Sequence, residues 1–393
     1  MSPRQLKTGY FVIEGLNSFG TIYYFYYFYF FMQQQFGFGD KANLALAALN
    51  GFVYMFAAWW GGRFAQRTGY FTALKLGFAL MIGALLVGAQ IESATGQIVV
   101  MVVAVIGMCF TWPTLEALVS EGETPAGLQR MLGIYNVVWA ATGAVAYFIG
   151  GALLDKLGLR SMFFVPATVF GIQLVLTLWL ERGAKSVPPA TTTIQPEPYE
   201  PRANPRPIAR TKMFLRLAWL ANPFAYIAIN TLVAVMPGVA QRLELSTTLA
   251  GFFCSVWCFA RLGAFCGLWF WPGWHYRYRW LVASYLALLG TFVLILTVPS
   301  LAVLVLAQLV FGLAIGLIYY SSLFYSMDVG DTKGEHGGIH EAAIGLGNFA
   351  GPAVGAASLH FLPQYANSGA LAVSALLLCG LGGLLIIRLK TKT

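Results

Sequence analysis

Apolar residues fall along the chain in about twelve runs of roughly 20 residues, the length of a bilayer-crossing helix. They lie near 9–32, 42–62, 70–90, 97–119, 130–152 and 160–181, then 213–238, 246–271, 279–298, 300–326, 336–360 and 367–388. The runs lack the alternating polarity of a membrane barrel strand. A helix satisfies its own backbone hydrogen bonds in hydrocarbon, so the pattern predicts an all-α membrane protein with twelve transmembrane helices. Between 183 and 212 the apolar signal stops, and Pro, Thr and charged residues take over. That segment reads as an extended cytoplasmic spacer. The chain therefore divides into a six-helix bundle over 1–182, a linker over 183–212 and a second six-helix bundle over 213–393.

A slower rhythm overlies the runs. The third, sixth, ninth and twelfth are the most uniformly apolar, as in FTALKLGFALMIGALLVGA and LAVSALLLCGLGGLLII. The runs between them place Asn, Glu, Arg, Trp and Tyr at helical spacing. A helix apolar all round can face lipid, whereas one with a polar stripe must turn it inward. The rhythm predicts triplets of helices around a central polar path, repeated in two pseudo-symmetric bundles.

Composition sharpens the class: 58% of the 393 residues are hydrophobic and 10% are charged, against about a quarter charged in a soluble domain. The formal net charge of +9 does not indicate nucleic acid, because the Lys and Arg residues sit in short loops rather than on one face. Arg4, Lys7, Arg63, Arg67, Lys75, Arg130, Arg277, Arg279, Lys333 and Arg388 fall on the side of the long segment. The positive-inside rule then puts both termini in the cytoplasm, which an even number of spans requires. The first run is too long for the core of a cleavable signal. The five Cys lie within apolar runs, as packing cysteines do. His336 and His340 are one turn apart but lack the third and fourth donors a metal site needs. Neither a metal nor a cofactor is expected, and no nucleophile–base pair or phosphate loop points to an enzyme.

The loop after the second run, Gly62-Arg63-Phe64-Ala65-Gln66-Arg67-Thr68-Gly69, resembles the cytoplasmic signature of the major facilitator superfamily of secondary transporters. Gln66 stands where that family usually has Asp, and Tyr70 and Phe71 where it has basic residues, while Arg67 is retained. The stretch from Gly150 to Phe163 is similar to the family's pattern after the fifth helix. Gly347 to Gly355 is its counterpart in the eleventh run, and aligning Gly143 with Gly347 and Gly151 with Gly355 supports a six-plus-six repeat. The resemblance implies two bundles that rock around a midplane site. Drug–proton antiporters of the family commonly carry Gly-Pro in the fifth helix; here Tyr147 and Phe148 occupy that place, and the pair appears as Gly351-Pro352.

Charged groups within hydrocarbon cost roughly 2.5–3.5 kcal/mol each, so each needs a reason. Glu14, Asn17, Thr21 and Tyr24 form one helical stripe; Glu14 either carries a proton at the cavity or snorkels to the headgroups. Arg261, more than two turns inside the eighth run, cannot shed its charge and must meet an anionic substrate or a structural acid such as Glu341. Several anion carriers of the superfamily, monocarboxylate carriers among them, use an Arg in this helix, so the resemblance hints at an organic anion. Glu341 heads a stripe with Gly345, Asn348 and Pro352, as a proton acceptor or as an exposed helix-start carboxylate. Trp112 and Glu116 lie one turn apart on the fourth run. Asn136 and Trp139 share a face of the fifth, as Tyr226 and Asn230 do on the seventh, and suit a polar organic ligand with an apolar face. A latch of Arg67 with Glu121, mirrored by Arg277 with Asp328, is expected at the cytoplasmic end, with Gly62 and Gly69 bounding the loop.

The expected function is a monomeric secondary transporter in the plasma (inner) membrane, moving a small organic solute by alternating access with proton coupling through Glu14, Glu116 or Glu341. Membrane lipid, the solute and protons are its expected partners. An exporter or flippase of amphipathic compounds and a non-transporting membrane sensor are the rival readings.

Overall fold

The computed structural model describes residues 1–123, 125–185, 208–329 and 333–390, without the side chains of 3, 125–126, 208–209, 327–329 and 333–343. The described residues are helical throughout their regular structure, with no strand among them. The first half comprises α1 (Pro3–Phe36), α2 (Asp40–Thr68), α3 (Tyr70–Gly88), α4 (Ala94–Ser120), α5 (Pro125–Leu157) and α6 (Ser161–Lys185). The second comprises α7 (Ile208–Arg242), α8 (Thr247–Cys254), α9 (Val256–Phe270), α10 (Tyr278–Thr297), α11 (Leu301–Val329), α12 (Lys333–Phe361) and α13 (Ser368–Lys390). α8 and α9 form one span broken at Ser255, whose hydroxyl donates back to the Phe252 carbonyl at 3.2 Å, a bond that bends helices. The described helices therefore make twelve spans.

Local chemistry sets the ends. Ser2 and Gln5 close a reciprocal capping box at the start of α1, and Gly37 ends it in the left-handed conformation at φ 69°. Gly69, at φ 96°, turns the chain between α2 and α3. α6 and α7 each reach a few residues into the expected linker, and its middle, 186–207, lies outside the described residues.

Among the described residues, ten helical columns are long and apolar enough to cross a bilayer by composition alone. α1 is not among them, because Tyr, Gln and its Glu14–Asn17 stripe dilute its hydropathy. The rhythm of greasy helices has its counterpart in burial: 78% of the apolar window of α7 lies inside the protein, against 22% for α13. α6, α10 and α13 are the least buried at 39%, 33% and 22%, whereas α3 at 44% is no more exposed than the seam helix α2.

The halves meet through two matching seams. α2 runs along α12, and α5 runs along α8 and α9. These are the second and fifth spans of one half against the fifth and second of the other, as an approximate twofold requires. Glycine makes both seams possible. A methyl group at Gly51 would collide with the backbone of Asn348 and Phe349, and one at Gly151 with the backbone of Thr247. Small residues let membrane helices approach this closely.

Candidate functional site

Arg261 sits where α9 faces α5, 5% exposed. Its Cζ lies 4.4 Å from the ring centre of Trp139 on α5 and 4.9 Å from that of Trp257, one turn earlier on its own helix. Two indole faces offset part of the desolvation of the guanidinium. Nε and Nη2 have no hydrogen-bond partner, and none of the ion pairs among the described residues involves it. The aromatic wall continues around it. Tyr26 of α1 stacks on Trp257 at 6.3 Å, and Trp112 of α4 meets Trp139 edge-on at 6.1 Å. Phe265 and Tyr319 approach Trp139 at 5.9 and 5.8 Å, and Tyr226 of α7 lies 6.4 Å from Tyr319. The indole N–H groups of Trp112 and Trp257 also lack acceptors. Arg261, Trp112 and Trp257 thus bring unsatisfied donors together, and chemically these call for an acceptor-rich, anionic group.

Trp139 is held from behind. Its Nε1 donates to Asn136 Oδ1 at 2.8 Å, Asn136 Nδ2 donates to the Leu132 carbonyl at 2.8 Å, and the Ser18 hydroxyl of α1 donates to the Trp139 carbonyl at 2.7 Å. One turn nearer the termini, Glu14 is fully buried. Both of its oxygens lack a hydrogen-bond partner, as the Arg261 nitrogens do, and the Tyr135 hydroxyl and the Glu116 carboxyl act on it electrostatically. Two carboxyls, Glu14 and Glu116, thus lie toward the terminal end, one turn beyond the level of Ser18 on α1 and of Trp112 on α4. On the other side, Asn230 Nδ2 donates to Asn348 Oδ1 at 2.5 Å and to the Tyr226 carbonyl at 3.2 Å, tying α7 to α12.

The sequence profile of the Major Facilitator Superfamily matches residues 98–352. The chain belongs to that superfamily. Its structure is similar to two crystal structures of the nucleoside transporter NupG, one of them a mutant. The TM-scores are 0.68 and 0.65, each at 13% identity and over 98% of this chain, covering 99% and 98% of those chains. At that identity the likeness establishes the fold. Among curated proteins no sequence matches it significantly. The protein is an integral membrane transporter of the superfamily.

In this transporter the polar ties between the halves gather at the end opposite the termini. Gln33 donates to Gln241 at 3.0 Å and Gln34 to Thr247 at 3.2 Å. Arg242 pairs with Asp40 at 3.2 Å, and Asp155 accepts from the Thr248 amide at 2.8 Å and hydroxyl at 2.6 Å. Of the latch expected at the other end, the Arg67–Glu121 contact is not formed in this conformation, and the Asp328 side chain of its Arg277–Asp328 half lies outside the described residues. Arg67 and Glu121 are both exposed and form no ion pair with each other. Instead Lys7 pairs with Glu123 at 3.1 Å and donates to the carbonyls of Val119 and Glu121. Gly62 is half-buried with open space around it, Gly69 makes the turn, and Arg277 is exposed. The side chains of Asp328, Glu341, His336 and His340 lie outside the described residues.

Of the expected site residues, Arg261, Trp112, Trp139 and Tyr226 come together in one aromatic layer. Glu14 and Glu116 lie on its terminal side and interact electrostatically, and Asn230 meets Asn348 beside it. Asn136 belongs to the support of Trp139. Tyr24 is drawn elsewhere: its ring packs on Phe163 at the α6 side of the first half. Its stripe-mate Asn17 is fully buried with its amide unbonded. The stripe on α1 looks into its own bundle, because α4, α5 and α6 all pack against that helix. Sequence reasoning missed Trp257, Tyr135, Tyr26 and Tyr319. Trp257 and Tyr135 carried a signal, each one turn from a chosen residue on the same helix. Tyr319 lies in the tenth run beside Tyr320, Ser321 and Ser322, one turn from no chosen residue.

Proposed function

We propose that this chain is a secondary transporter carrying small organic anions, carboxylates above all, by alternating access, with protons moving through Glu14 and Glu116 and with Glu341 as a third candidate acceptor. The single observation behind this reading is the buried Arg261 guanidinium, with two unbonded nitrogens among aromatic faces and further unbonded donors. A carboxylate accepts from Nε and Nη2 side by side, the geometry that favours Arg over Lys. The aromatic wall suits an apolar or ring-bearing body. The two carboxyls below offer a proton route one turn away. The positive-inside pattern supports cytoplasmic termini, so the polar ties close the outer face. On that orientation the latch of Arg67 with Glu121 and of Arg277 with Asp328 forms when the cytoplasmic end closes. Arg261 also argues against an exporter of cationic amphiphiles. The protein works as a monomer in the plasma membrane.

A second reading has its own support. NupG is a nucleoside transporter of the same fold, and rings beside an amide pair also suit a neutral ring-bearing solute. Uptake into proteoliposomes separates the two. Under an inward proton gradient, aromatic and aliphatic monocarboxylates are expected to accumulate, and Arg261→Lys to retain a small fraction of that rate. Uptake of uncharged nucleosides that survives Arg261→Lys undiminished would overturn the anion reading while leaving a transporter in place.

A further inference from the structure

Away from the seam, the start of α1 and the end of α6 enclose an outward-facing groove of about 830 Å³. Its floor is apolar, formed by Val12, Leu176 and Trp179, and Arg4, Thr8 and Arg182 stand at its mouth. Val12 and Trp179 are 49% and 57% exposed, so the apolar floor opens toward acyl chains. Neither Arg4 nor Arg182 belongs to an ion pair among the described residues. The acid beside Arg182 is already occupied: Glu181 takes Lys75 at 2.8 Å and Lys185 at 3.2 Å. The mouth is left with two uncompensated guanidinium groups above a greasy trough at the membrane boundary.

We infer that this groove binds one anionic phospholipid, its phosphate between Arg4 and Arg182 and an acyl chain along Val12 and Trp179. Basic pockets between transmembrane helices select anionic headgroups in this way, and indole rings favour the interface. Both walls belong to the first half, so rocking of the halves leaves the groove intact. The lipid stays bound through the cycle and steadies the base of α1, the helix that bears Glu14 and Ser18.

The test uses the full-length protein in neutral detergent, titrated with phosphatidylglycerol or phosphatidylcholine of identical chains, reading thermal midpoint and bound lipid by native mass spectrometry. Phosphatidylglycerol is expected to raise the midpoint more. Arg4→Gln with Arg182→Gln should weaken its half-saturation roughly thirtyfold, from about 1 kcal/mol per basic residue and 1.4 kcal/mol per tenfold, and leave phosphatidylcholine unaffected. Equal effects of the two lipids, an unchanged response in the double variant, or reproduction of the shift by inorganic phosphate alone would overturn the assignment. Should the double variant not fold, brominated phosphatidylglycerol provides a second measurement. It must quench the native protein more than Trp179→Phe, and equal quenching defeats the proposal.

Discussion

Glu14 on α1 and Arg261 on α9 are both buried, about one helical turn apart in depth, yet their surroundings differ in kind. Glu14 has a hydroxyl and a second carboxyl beside it, Tyr135 and Glu116. Arg261 has indole faces and unbonded donors. A carboxylate in such company can become neutral by taking a proton, so its burial is sustainable in either charge state. A guanidinium cannot do so. The contrast assigns different work to the two halves. On the proposed function, the first exchanges a proton and the second holds a fixed positive charge for the anion.

The largest effect belongs to the fixed charge. Arg261→Leu should all but abolish uptake of anionic solute, a loss of at least about thirtyfold, since truncating one side of a buried charged contact costs roughly 2–5 kcal/mol. The same variant should melt at or above the temperature of the native protein, because replacing a buried charge by an apolar side chain is often neutral or stabilising. Uptake assays and thermal unfolding on one preparation check both halves of the statement. A variant that unfolds would show that Arg261 is a structural partner of an acid instead. Glu14→Gln should separate two activities. Accumulation driven by a pH gradient is lost, while exchange of labelled for unlabelled solute across the membrane, which needs no net proton movement, persists. Loss of exchange as well would move Glu14 from coupling to binding or folding.

The seam and its closed end form a smaller contrast with that charged layer. Asp155 accepts two hydrogen bonds at the start of α8, and contacts to a charged acceptor are worth about 1.5–3 kcal/mol. Asp155→Ala should shift the population toward states open at that end by roughly tenfold or more. Distances between spin labels on the loops at 37–39 and 243–246 would report it. An unchanged distance distribution would mean that Gly51 and Gly151, through close backbone packing, hold the end shut without the polar ties.

Much of the fold was legible because lipid imposes a strict code. Run length gave the spans, loop charge gave an even count, and the greasy helices marked the outer wall that α13 and α10 now form. The site was legible only in part, for a geometrical reason. A stripe on one helix gives a direction but not the neighbour it meets. The Glu14–Tyr24 stripe is real, yet its face turns toward α4, α5 and α6, so Tyr24 is absorbed into packing while Glu14 finds Tyr135. The expected Arg67–Glu121 contact failed to appear for a related reason: loop charges show which residues share a side, not which conformation brings them together. The ties that did form join Arg242 to Asp40 and Asp155 to Thr248, and otherwise use Gln33, Gln34, Gln241 and Thr247, polar residues with no pattern to distinguish them.

The smallest predicted effect tests the support of the aromatic layer. Asn136 is buried and makes no direct contact with Arg261, but it accepts from the Trp139 indole while anchoring to its own helix. Removing that acceptor in Asn136→Ala frees Trp139 to rotate and leaves its N–H unsatisfied, a penalty of about 1 kcal/mol. If the plane of Trp139 positions Arg261, the half-saturating solute concentration should rise about fivefold while maximal rate holds. Asn136→Asp retains an acceptor and should restore solute affinity, whereas Asn136→Leu should not. A rate that falls with unchanged half-saturation would instead make Asn136 part of the moving seam, and the aromatic layer would then belong to conformational change rather than to binding.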